Sequence, residues 1–511
     1  MSATTSTQHS AAAAQLATLG VKISHLVADS RLVNAGDTFV AYPGTQADGR
    51  QYIAQAIAKG ANAVIWEADN FVWDQAWQVP NLPIHNLREQ AGYLADHVYS
   101  APSQKLWMVG VTGTNGKTTC THWIARSLSA LNRKTAVLGT LGNGFAGALQ
   151  TTLNTTPEAL SVHGLLADFL QQGAQAAAME VSSHALIQGR VNGVNFDVAL
   201  FTNLTRDHLD YHGDMQGYAS AKQRLFVWEN LKHAVLNLDD PFGIELAEAL
   251  HSSGVEITGY GLGQEAMLYA QRHGYRMVFG RDLSMDASGI KLKIQSSWGG
   301  ADFASGLIGR FNVANLLGTL AVLLVSGAGL AEALRELSVQ TPVSGRMQTF
   351  GGNNKPTVVI DYAHSPDALE KVLQTLHEVS DSDGGKIICV FGCGGDRDRG
   401  KRPLMGAISS QYANVSIVTS DNPRSENAHD IIRAITADMR GDYRVIENRA
   451  QAIATGIALA SAKDIVLLAG KGHETYQEIA GIKYPFSDAE YAQAALASWR
   501  NTQQETAGAT A

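Results

Sequence analysis

A chain of 511 residues is too long for a single hydrophobic core, and at about 150 residues per domain it predicts about three domains. Charged residues make up 17% of the chain and the formal net charge is -8, so no nucleic-acid partner is expected. Three cysteines are too few for a disulfide framework and predict a reducing compartment. We therefore expect a multi-domain protein of the cytoplasm.

The first hundred residues mix strand-like and helical patterns. The run DTFVAYPG at 37–44 predicts a strand, and the Ala-rich segment QYIAQAIAKGANAVIW at 51–66 predicts a helix. The segment SAPSQ at 100–104 has the composition of a linker. A first domain is therefore predicted over residues 1–102.

The segment LWMVGVTGTNGKTTCTHWIARSL, residues 106–128, joins an apolar run to a helical pattern through a Gly-rich turn. Such a turn directs backbone N–H groups and a helix N-terminus at anionic oxygens. We expect Lys117 to reach the outer phosphates of a nucleotide and the Thr118 hydroxyl to bind Mg²⁺. The usual G-x-x-x-x-G-K-[ST] spacing fails by one residue, because Gly110 stands six residues before Gly116. The pattern still predicts nucleotide binding.

Apolar strands alternate with helical patterns from the phosphate loop to about residue 340. The runs TAVLGT, QAAAMEVSS, VALFTNL and HAVLNLDD predict strands, and the alternation predicts a parallel sheet covered by helices. Glu180 ends one of these strands, and we expect His208 to end another. Two strand ends beside one phosphate loop favour a metal site that serves the nucleotide.

Two patterns in this region have alternative interpretations. His208 and His212 have the i, i+4 spacing of a zinc pair, but no third ligand is fixed by the sequence, so Mg²⁺ is the simpler expectation. Lys222 lies in a helical pattern among apolar neighbours. The hydrophobic pattern alone favours a surface lysine that extends its ammonium to solvent.

Residues 311–331, FNVANLLGTLAVLLVSGAGLA, carry no charge and are long enough to span a bilayer. The segment also contains two Asn and three Gly, and it stands alone in the middle of the chain. A buried helix is the preferred interpretation, and no membrane insertion is expected.

A second boundary is predicted at TPVSGR, residues 341–346. Four apolar runs follow, each ending in a polar, Gly-containing loop: TVVIDYAH, KIICVFGCGGDRD, VSIVTSDNPR and DIVLLAGKGHE. Because ligands of open α/β sheets bind outside the carboxyl ends of the strands, these loops predict the rim of a site. The glycines of CGGDRDRG lack the third spaced glycine of a dinucleotide site, and Cys389 and Cys393 are expected to be buried apolar residues rather than ligands.

The motif TGTNGKTT at 112–119, together with Glu180, RDHLDYH and GRFNVANLL, resembles the Mur ligase family, which forms amide bonds at the expense of ATP in peptidoglycan precursor synthesis. The segment 29–53 and the motifs DNPR and AGKGHETYQ are similar to the third amino-acid ligase of that family. The resemblance implies three α/β domains. These are an N-terminal uridine-nucleotide-binding domain at 1–102, a central P-loop ATPase-like parallel-sheet domain at 103–340 and a C-terminal Rossmann-like amino-acid-binding domain at 341–511.

The resemblance also implies which residues form the sites. For ATP they are Gly113, Thr114, Asn115, Gly116, Lys117, Thr118, Thr119, Asn312, Arg346, Asp361 and His364. For the UDP-linked substrate they are Ser30, Thr45, Gln46, Ala47, Asn154, Thr155, Thr156, Ser182, Gln188 and Arg190. For diaminopimelate they are Arg397, Asp421, Asn422, Pro423, Arg424, Gly470 and Glu474.

The catalytic residues implied in the same way are Lys117, Glu180, His208 and Lys222. Thr118 and Glu180 would bind one Mg²⁺, and His208 would serve a second together with Lys222, which in the family is carbamylated. A carbamate supplies the hard oxygens that an ammonium lacks. Neither His208 nor Lys222 is expected to carry a proton, and the group that accepts the proton of the attacking amine is not assigned.

The implied reaction joins meso-2,6-diaminopimelate to the D-glutamate γ-carboxylate of UDP-N-acetylmuramoyl-L-alanyl-D-glutamate through an acyl phosphate. ATP is the co-substrate, the other partners are small molecules, and a monomer is expected. Arg424 in DNPR fits the extra carboxylate of diaminopimelate, since a guanidinium pairs with carboxylate bidentately. A structural arginine that caps a turn is the alternative.

Two other functions compete with this one. A folylpolyglutamate synthase or a D-alanyl-D-alanine-adding ligase would share the phosphate loop, but neither accounts for segment 29–53 together with DNPR. A binding protein gated by ATP would bind nucleotide without forming ADP in response to a substrate.

Overall fold

The computed structural model describes residues 12–44, 47–152, 154–286, 289–352, 354–380 and 384–500. Within these residues the chain forms three α/β units in sequence order, each built around its own sheet. A separate two-stranded hairpin accompanies the third sheet. The predicted α/β class is confirmed.

The first unit is a small parallel sheet with helices. Its strands are β1 (Leu26–Val27), β2 (Thr38–Ala41), β3 (Ala63–Glu67) and β4 (Asn81–Ile84). They are hydrogen-bonded in chain order, and every neighbouring pair is parallel. The helical elements are helical residues 12–17, a 3₁₀ turn at Gly49–Tyr52, α1 (Ile53–Ala58) and α2 (Leu87–Val98). The strand predicted within 37–44 is confirmed as β2.

The helix predicted over 51–66 is wrong in its second half. Helix α1 ends at Ala58, and Gly60 follows with a φ of +94°, which side-chain-bearing residues rarely adopt. The next residues form β3 instead, where Val64 and Ile65 are fully buried between β2 and β4. Branched side chains favour that environment over the end of a short helix.

The second unit contains the largest sheet. Its strands are β5 (Trp107–Thr112), β6 (Thr135–Gly139), β7 (Gly142–Phe145), β8 (Ala148–Gln150), β9 (Ala176–Glu180), β10 (Val198–Phe201), β11 (His233–Asn237), β12 (Glu256–Gly261), β13 (Arg276–Asp286), β14 (Gly289–Ser296) and β15 (Gly299–Ser305). The described strands lie in the order β15-β14-β13-β12-β11-β10-β5-β9-β6-β7-β8. The predicted parallel sheet is confirmed from β6 to β13, whereas both edges are antiparallel, which the sequence did not predict.

Helices cover both faces of this sheet. They are α3 (Lys117–Ala130), α4 (Ala159–Gln171), α5 (Ser183–Ile187), α6 (Leu209–His212), α7 (Met215–Gln223), α8 (Pro241–Leu250), α9 (Gln264–Arg272), α10 (Arg310–Val325) and α11 (Leu330–Ser338). Alternate residues of β5 point to opposite cores: Val109 packs in the cluster of Trp123 and Leu320, and Met108 packs in the cluster of Leu166. The strands are therefore apolar on both faces, as parallel strands between helix layers require.

The uncharged segment 311–331 contains all of α10 except Arg310, the turn that follows it and the first two residues of α11. The helix is buried along most of its length against the central sheet, so the expected buried helix is confirmed. Among the described residues, no helix combines the length and the apolar composition that crossing a bilayer requires.

The third unit contains β16 (Gln348–Gly351), β17 (Thr357–Asp361), β18 (Ile387–Phe391), β19 (Val415–Val418), β20 (Tyr443–Val445) and β21 (Ile465–Ala469), with the hairpin β22 (Tyr476–Ile479) and β23 (Ile482–Pro485). The described sheet order is β16-β17-β21-β18-β19-β20, parallel except at β16. Its helices are α12 (Pro366–Ser380), α13 (Lys401–Tyr412), α14 (Ala428–Thr436), α15 (Arg449–Leu459) and α16 (Asp488–Ser498). The four predicted strands are confirmed, and their carboxyl ends lie on one edge.

The segment predicted as a linker at 100–104 is packed. A 3₁₀ turn at Pro102–Lys105 contains the fully buried Ser103, whose Oγ accepts a hydrogen bond from the Asn195 backbone N–H at 3.0 Å. Nearby, Gly92 of α2 approaches the second unit so closely that a Cβ there would lie 2.1 Å from the Asn192 carbonyl oxygen. The first two units are therefore joined by a close backbone contact.

This contact predicts that Gly92→Ala destabilises the protein, although Ala favours a helix more than Gly does. The added methyl group has to push Asn192 away, which we expect to cost about 1–3 kcal/mol. Thermal unfolding would show a lowered melting temperature. Gly306→Ala is the matched control, because a Cβ at Gly306 meets no heavy atom within 4 Å. An unchanged or raised melting temperature for Gly92→Ala would contradict the packing described here.

Candidate active site

The Gly-rich turn after β5 has a backbone that requires glycine at two positions. Gly113 has a φ of +148°, and a Cβ there would lie 1.9 Å from the Thr202 hydroxyl oxygen. Gly116 has a φ of +87°, and its Cβ would lie 2.4 Å from Asn315 Oδ1. Helix α3 begins at Lys117 immediately afterwards. The strand, tight turn and helix N-terminus predicted for a phosphate loop are confirmed.

Two lysine ammonium groups converge on this loop. Lys117 Nζ donates to the carbonyl oxygens of Gly113 and Thr114, both at 2.9 Å, and Lys222 Nζ donates to the Gly113 carbonyl oxygen at 2.8 Å. Burial lowers the pKa of both groups, and for Lys222 burial and the neighbouring Lys117 charge lower it well below the usual value. Lys222 is only 1% exposed, so the surface position that the pattern favoured is wrong.

Glu180 ends β9, as predicted, and its carboxylate lies beside the first turn of α3. It accepts hydrogen bonds from the Thr118 hydroxyl at 2.8 Å, from the Thr140 backbone N–H at 2.7 Å and from the Thr140 hydroxyl at 3.1 Å. Gly139 precedes Thr140, and a Cβ there would lie 2.3 Å from Glu180 Oε1. The glycine at the end of β6 thus leaves room for the carboxylate.

His208 does not end a strand, which corrects the sequence-based expectation. Strand β10 ends at Phe201, and His208 lies at the end of the following loop with a φ of +55°, immediately before α6. The loop is required because the chain must cross from the sheet edge to the front of the phosphate loop. Burial lowers the pKa of His208 to about 3, so its imidazole is neutral at physiological pH.

Asp207 is a site residue that sequence reasoning missed. Its Oδ2 lies 3.5 Å from His208 Nε2 and 3.6 Å from His364 Nε2, so one carboxylate bridges imidazoles of the second and third units. Burial acts to raise the pKa of Asp207, but the hydrogen bond from His364 and the two imidazoles hold it below its usual value. Its position next to His208 in RDHLDYH was the available signal.

A cavity of about 680 Å³ lies between the second and third units in front of the phosphate loop. The predicted ATP residues that line it are Thr114, Asn115, Gly116, Lys117, Thr118, Thr119, Arg346, Asp361 and His364. Glu180, Asp207 and His208 also line it. The residues are thus brought together from distant parts of the sequence.

Asn312 is placed differently from the other predicted ATP residues. Its Nδ2 donates to the Ile308 carbonyl oxygen at 2.8 Å, and the cavity wall is formed instead by its neighbours Phe311, Ala314 and Asn315. Further lining residues, which no sequence pattern indicated, are Asn237, Asp239, Asp240, Lys371, Gln374, Thr375 and Glu378. They come from two units, and no local motif marks them.

Arg346 and Asp361 lie at the junction of the second and third units. Arg346 Nη2 donates to the Thr118 hydroxyl at 3.4 Å, and its guanidinium lies 4.4 Å from the Tyr362 ring centroid. Asp361 ends β17 and accepts a hydrogen bond from the Met347 backbone N–H at 2.8 Å. Burial raises the pKa of Asp361. A partly buried arginine and a buried carboxylate therefore border the phosphate side of the cavity.

A second polar network lies on the other side of Glu180. Thr156 donates its hydroxyl to the Glu180 carbonyl oxygen at 2.8 Å and accepts from the Ser182 backbone N–H at 3.1 Å. Arg190 donates to the Thr156 carbonyl oxygen at 3.0 Å and to Gln188 Oε1 at 2.9 Å. The structure therefore brings four predicted substrate residues together next to the predicted metal ligand.

Other predicted residues for the UDP-linked substrate are placed as follows. Thr155 lies beside Thr140, with 3.1 Å between their hydroxyl oxygens, and Asn154 Nδ2 lies 3.5 Å from Glu158 Oε1. In the first unit, the Ser30 hydroxyl donates to Gln55 Oε1 at 2.8 Å. The exposed Ala47 lies in the loop after β2, whereas Thr45 and Gln46 lie outside the described residues.

The predicted amino-acid pocket lies at the carboxyl ends of β19 and β21. Gly470 has a φ of +112°, and a Cβ there would lie 2.7 Å from Asp421 Oδ2. Asn422 Nδ2 donates to Glu474 Oε2 at 2.8 Å. Lys471, which was not selected from the sequence, donates to the same Glu474 oxygen at 3.0 Å. Asp421, Asn422, Gly470 and Glu474 are therefore brought together.

The arginines predicted for this pocket contact neighbouring loops. Arg424 has a φ of +51°, donates to the Gly395 carbonyl oxygen at 2.7 Å and lies 3.6 Å from Glu478 Oε2. Pro423 also borders Gly395, where a Cβ would lie 2.0 Å from the Pro423 carbonyl oxygen. Arg397 Nη1 donates to the Asp396 carbonyl oxygen at 2.9 Å. Arg424 therefore links the loop after β19 with the loop after β18, whereas Arg397 contacts its own loop.

Comparisons with known proteins agree with this architecture. Three family models match in order: Mur ligase family, catalytic domain (residues 22–99), Mur ligase middle domain (111–323) and Mur ligase, glutamate ligase domain (345–472). The chain belongs to the Mur ligase family, whose members are ATP-dependent ligases.

Individual relatives extend the similarity over nearly the whole chain. The UDP-N-acetylmuramoyl-L-alanyl-D-glutamate–2,6-diaminopimelate ligase of Chromobacterium violaceum is 51% identical over 95% of this chain and 97% of its own length. A solved structure of a ligase with the same name has 36% identity and a TM-score of 0.64, with 93% of this chain and 95% of that chain covered. The MurF ligase of Thermotoga maritima in complex with ADP has 18% identity and a TM-score of 0.60, covering 92% and 96%, and shares the fold.

The position of Asp207 predicts that Asp207→Asn lowers ligase turnover about 10–100-fold while the protein stays folded, because a neutral amide replaces the carboxylate that orients His208 and His364. Phosphate release with saturating substrates is the measurement. Asp398→Asn is the matched control. It removes another carboxylate that links these units, but its partner Arg206 is half-exposed, so we expect a change of no more than about twofold. Equal effects of the two substitutions would contradict a special role for Asp207.

Proposed function

We propose that this chain is an ATP-dependent ligase that joins meso-2,6-diaminopimelate to the D-glutamate γ-carboxylate of UDP-N-acetylmuramoyl-L-alanyl-D-glutamate. Relatives named for this activity are 47–51% identical over nearly the full chain. The proposal rests on the cavity in front of the phosphate loop, which is lined by Lys117, Glu180 and His208. We also propose the domain boundaries 1–102, 103–340 and 341–511, a cytoplasmic location and a monomer.

In the proposed reaction the γ-carboxylate of the D-glutamyl residue attacks the γ-phosphorus of ATP, and the bond to the bridging oxygen of ADP breaks. The amine of diaminopimelate then attacks the acyl carbon, loses a proton and displaces phosphate. Lys117 and the N-terminus of α3 would stabilise the charge that develops on the transferred phosphoryl group. Catalysis therefore depends mainly on positioning and electrostatics.

The residues around Glu180 fit Mg²⁺, which takes hard oxygen ligands in near-octahedral geometry. One carboxylate and the hydroxyl of Thr118 lie within 2.8 Å of each other. When bound there, Mg²⁺ would neutralise phosphate oxygens of ATP. The neutral imidazole of His208 and a carbamate on Lys222 are the proposed ligands of a second ion.

The surroundings of Lys222 support carbamylation. Carbon dioxide reacts with a neutral amine. Burial and the charge of Lys117 lower the pKa of Lys222, which favours its neutral form. The unmodified ammonium shares the Gly113 carbonyl oxygen with Lys117, which brings two like charges together. A carbamate replaces that repulsion with an attraction and adds oxygens near the phosphate loop.

The polar network of Thr156, Ser182, Gln188 and Arg190 is the proposed site for the muramoyl-dipeptide. It lies directly beside Glu180, so a dipeptide held there would place its carboxylate near the phosphoryl group. Arg424 is the proposed partner of the carboxylate that distinguishes diaminopimelate from lysine. Its present contacts with Gly395 and Glu478 would be exchanged for that carboxylate.

The first experiment measures phosphate release from ATP with the UDP-muramoyl-dipeptide and either meso-diaminopimelate or L-lysine. We expect release only with diaminopimelate. A preference for lysine would keep the ligase and contradict the role of Arg424. Release with neither amino acid would favour a binding protein gated by ATP, and release with D-alanyl-D-alanine or a folate substrate would favour another ligase of this fold.

A second experiment tests the modification of Lys222. Lys222→Ala should nearly abolish turnover, and a short carboxylic acid such as acetate should restore part of it by replacing the carbamate oxygens. The wild-type protein prepared with ¹³C-labelled bicarbonate should show a carbamate carbon signal that Lys222→Ala lacks. Full activity of the variant without acetate, or no difference between the two spectra, would remove the carbamate from the mechanism.

A further inference from the structure

Lys471 is a fully buried lysine at the centre of the amino-acid pocket. It follows Gly470 after β21, and its side chain has no exposed surface. Transfer of an ammonium from water to the protein interior is strongly unfavourable unless charged and hydrogen-bonding partners surround it. A buried lysine in a loop, away from the phosphate loop, therefore calls for a specific set of partners.

The partners of Lys471 are three residues proposed to bind the amino acid. Its Nζ donates to Asn422 Oδ1 and to Glu474 Oε2, both at 3.0 Å, and lies 3.6 Å from Asp421 Oδ1. Asn422 also donates from Nδ2 to Glu474 Oε2 at 2.8 Å. One ammonium thus connects the loop after β19 with the loop after β21.

These hydrogen bonds leave oxygens of the Glu474 and Asp421 carboxylates able to accept hydrogen bonds from a ligand. Among the described residues, both hydrogen bonds to Glu474 end on Oε2, and its side chain is 15% exposed. The Asp421 carboxylate, in a residue that is 6% exposed, has an ion-pair contact with Lys471 but accepts no hydrogen bond from the described residues. Two oriented but incompletely bonded carboxylates suit an ammonium group, which has three donors.

The charges in this pocket also favour one added cation. Asp421 and Glu474 contribute two negative charges and Lys471 one positive charge, so the group carries one net negative charge. Arg449 lies behind the pocket and donates to the Ala469 carbonyl oxygen, but its own charge is balanced by Asp488 at 2.6 Å. Without Lys471, the repulsion between the two carboxylates would have no compensating charge.

We propose that Lys471 is a positioning residue that holds Asn422 and Glu474 in place. Its charge also reduces the two negative charges of Asp421 and Glu474 to one net negative charge, so that this pair binds one ammonium group of the amino-acid substrate. This inference rests on the proposed ligase function and adds a determinant of amino-acid binding to it. Lys471 does not itself contact the reacting atoms. We expect its effect to be confined to the amino-acid substrate, because its hydrogen-bond partners Asn422 and Glu474 belong to that pocket.

The test compares the steady-state kinetics of Lys471→Met and Lys471→Gln with the wild type. Methionine keeps the length of the side chain without donors or charge, and glutamine keeps a donor without charge. We expect the KM for meso-diaminopimelate to rise at least tenfold in both variants. The KM values for ATP and for the UDP-linked substrate should stay within twofold. If Lys471→Met does not fold, Lys471→Gln gives the same comparison.

Lys355→Met is the matched control, because Lys355 lies in the same unit but donates to the Leu496 carbonyl oxygen. We expect all three KM values of this control to stay within twofold. An unchanged KM for diaminopimelate in a folded Lys471 variant would overturn the inference, as would an equal rise in all three KM values. If the wild-type protein releases no phosphate with diaminopimelate, the proposed ligase function is wrong. That outcome is distinct from an error in the role of Lys471, which only the variants test.

Discussion

The parallel pairing of β6, β9, β5 and β10 is the constraint on which the site depends. Parallel strands end at the same edge, so the phosphate loop after β5, Glu180 at the end of β9, Thr140 after β6 and the loop to His208 after β10 begin side by side. The strands are buried on both faces, and this packing keeps the edge rigid. Small residues at the edge, Gly113 and Gly139, then allow backbone and carboxylate to approach closely.

Buried charge is the second organising feature of the molecule. Lys117 and Lys222 share a carbonyl oxygen, Asp207 bridges two imidazoles, and Lys471 lies among carboxylates and an amide. Arrangements of this kind contribute little to stability compared with apolar packing, because desolvation offsets much of the attraction. Their concentration around the two proposed ligand pockets agrees with the roles in binding and catalysis proposed for them.

The relation between the second and third units determines how the ATP site is completed. Arg346 contacts Thr118, His364 contacts Asp207, and Asn115 Nδ2 donates to Asp367 at 3.1 Å. Each contact joins a phosphate-loop or neighbouring residue to the third unit. A small displacement of that unit would therefore change the positions of several polar groups of the cavity at once. The proposed reaction thus depends on the position of the third unit.

Local patterns were sufficient to predict the elements whose signals lie within a few neighbouring residues. The phosphate loop, the strand ending at Glu180, the buried α10 and the four C-terminal strands could be predicted because glycine placement and apolar runs act over a few residues. Local patterns failed where burial decided the outcome. The second half of the helix predicted at 51–66 is strand β3, and the linker predicted at 100–104 is packed. Lys222, predicted from the pattern at the surface, is buried.

Contacts between distant polar groups depended on the packing of the whole chain. Lys471 carries no periodic or spacing signal, and Asp207 is marked only by its place beside His208. Each acquires a partner from a distant segment, since Asp207 contacts His364 of the third unit and Lys471 contacts Asn422. Asn312 is the opposite case. It belongs to a recognisable motif, but its side chain donates to the Ile308 carbonyl oxygen. Side-chain direction and long-range contact depend on the packing of whole elements, and that packing is a property of the folded chain rather than of any short segment.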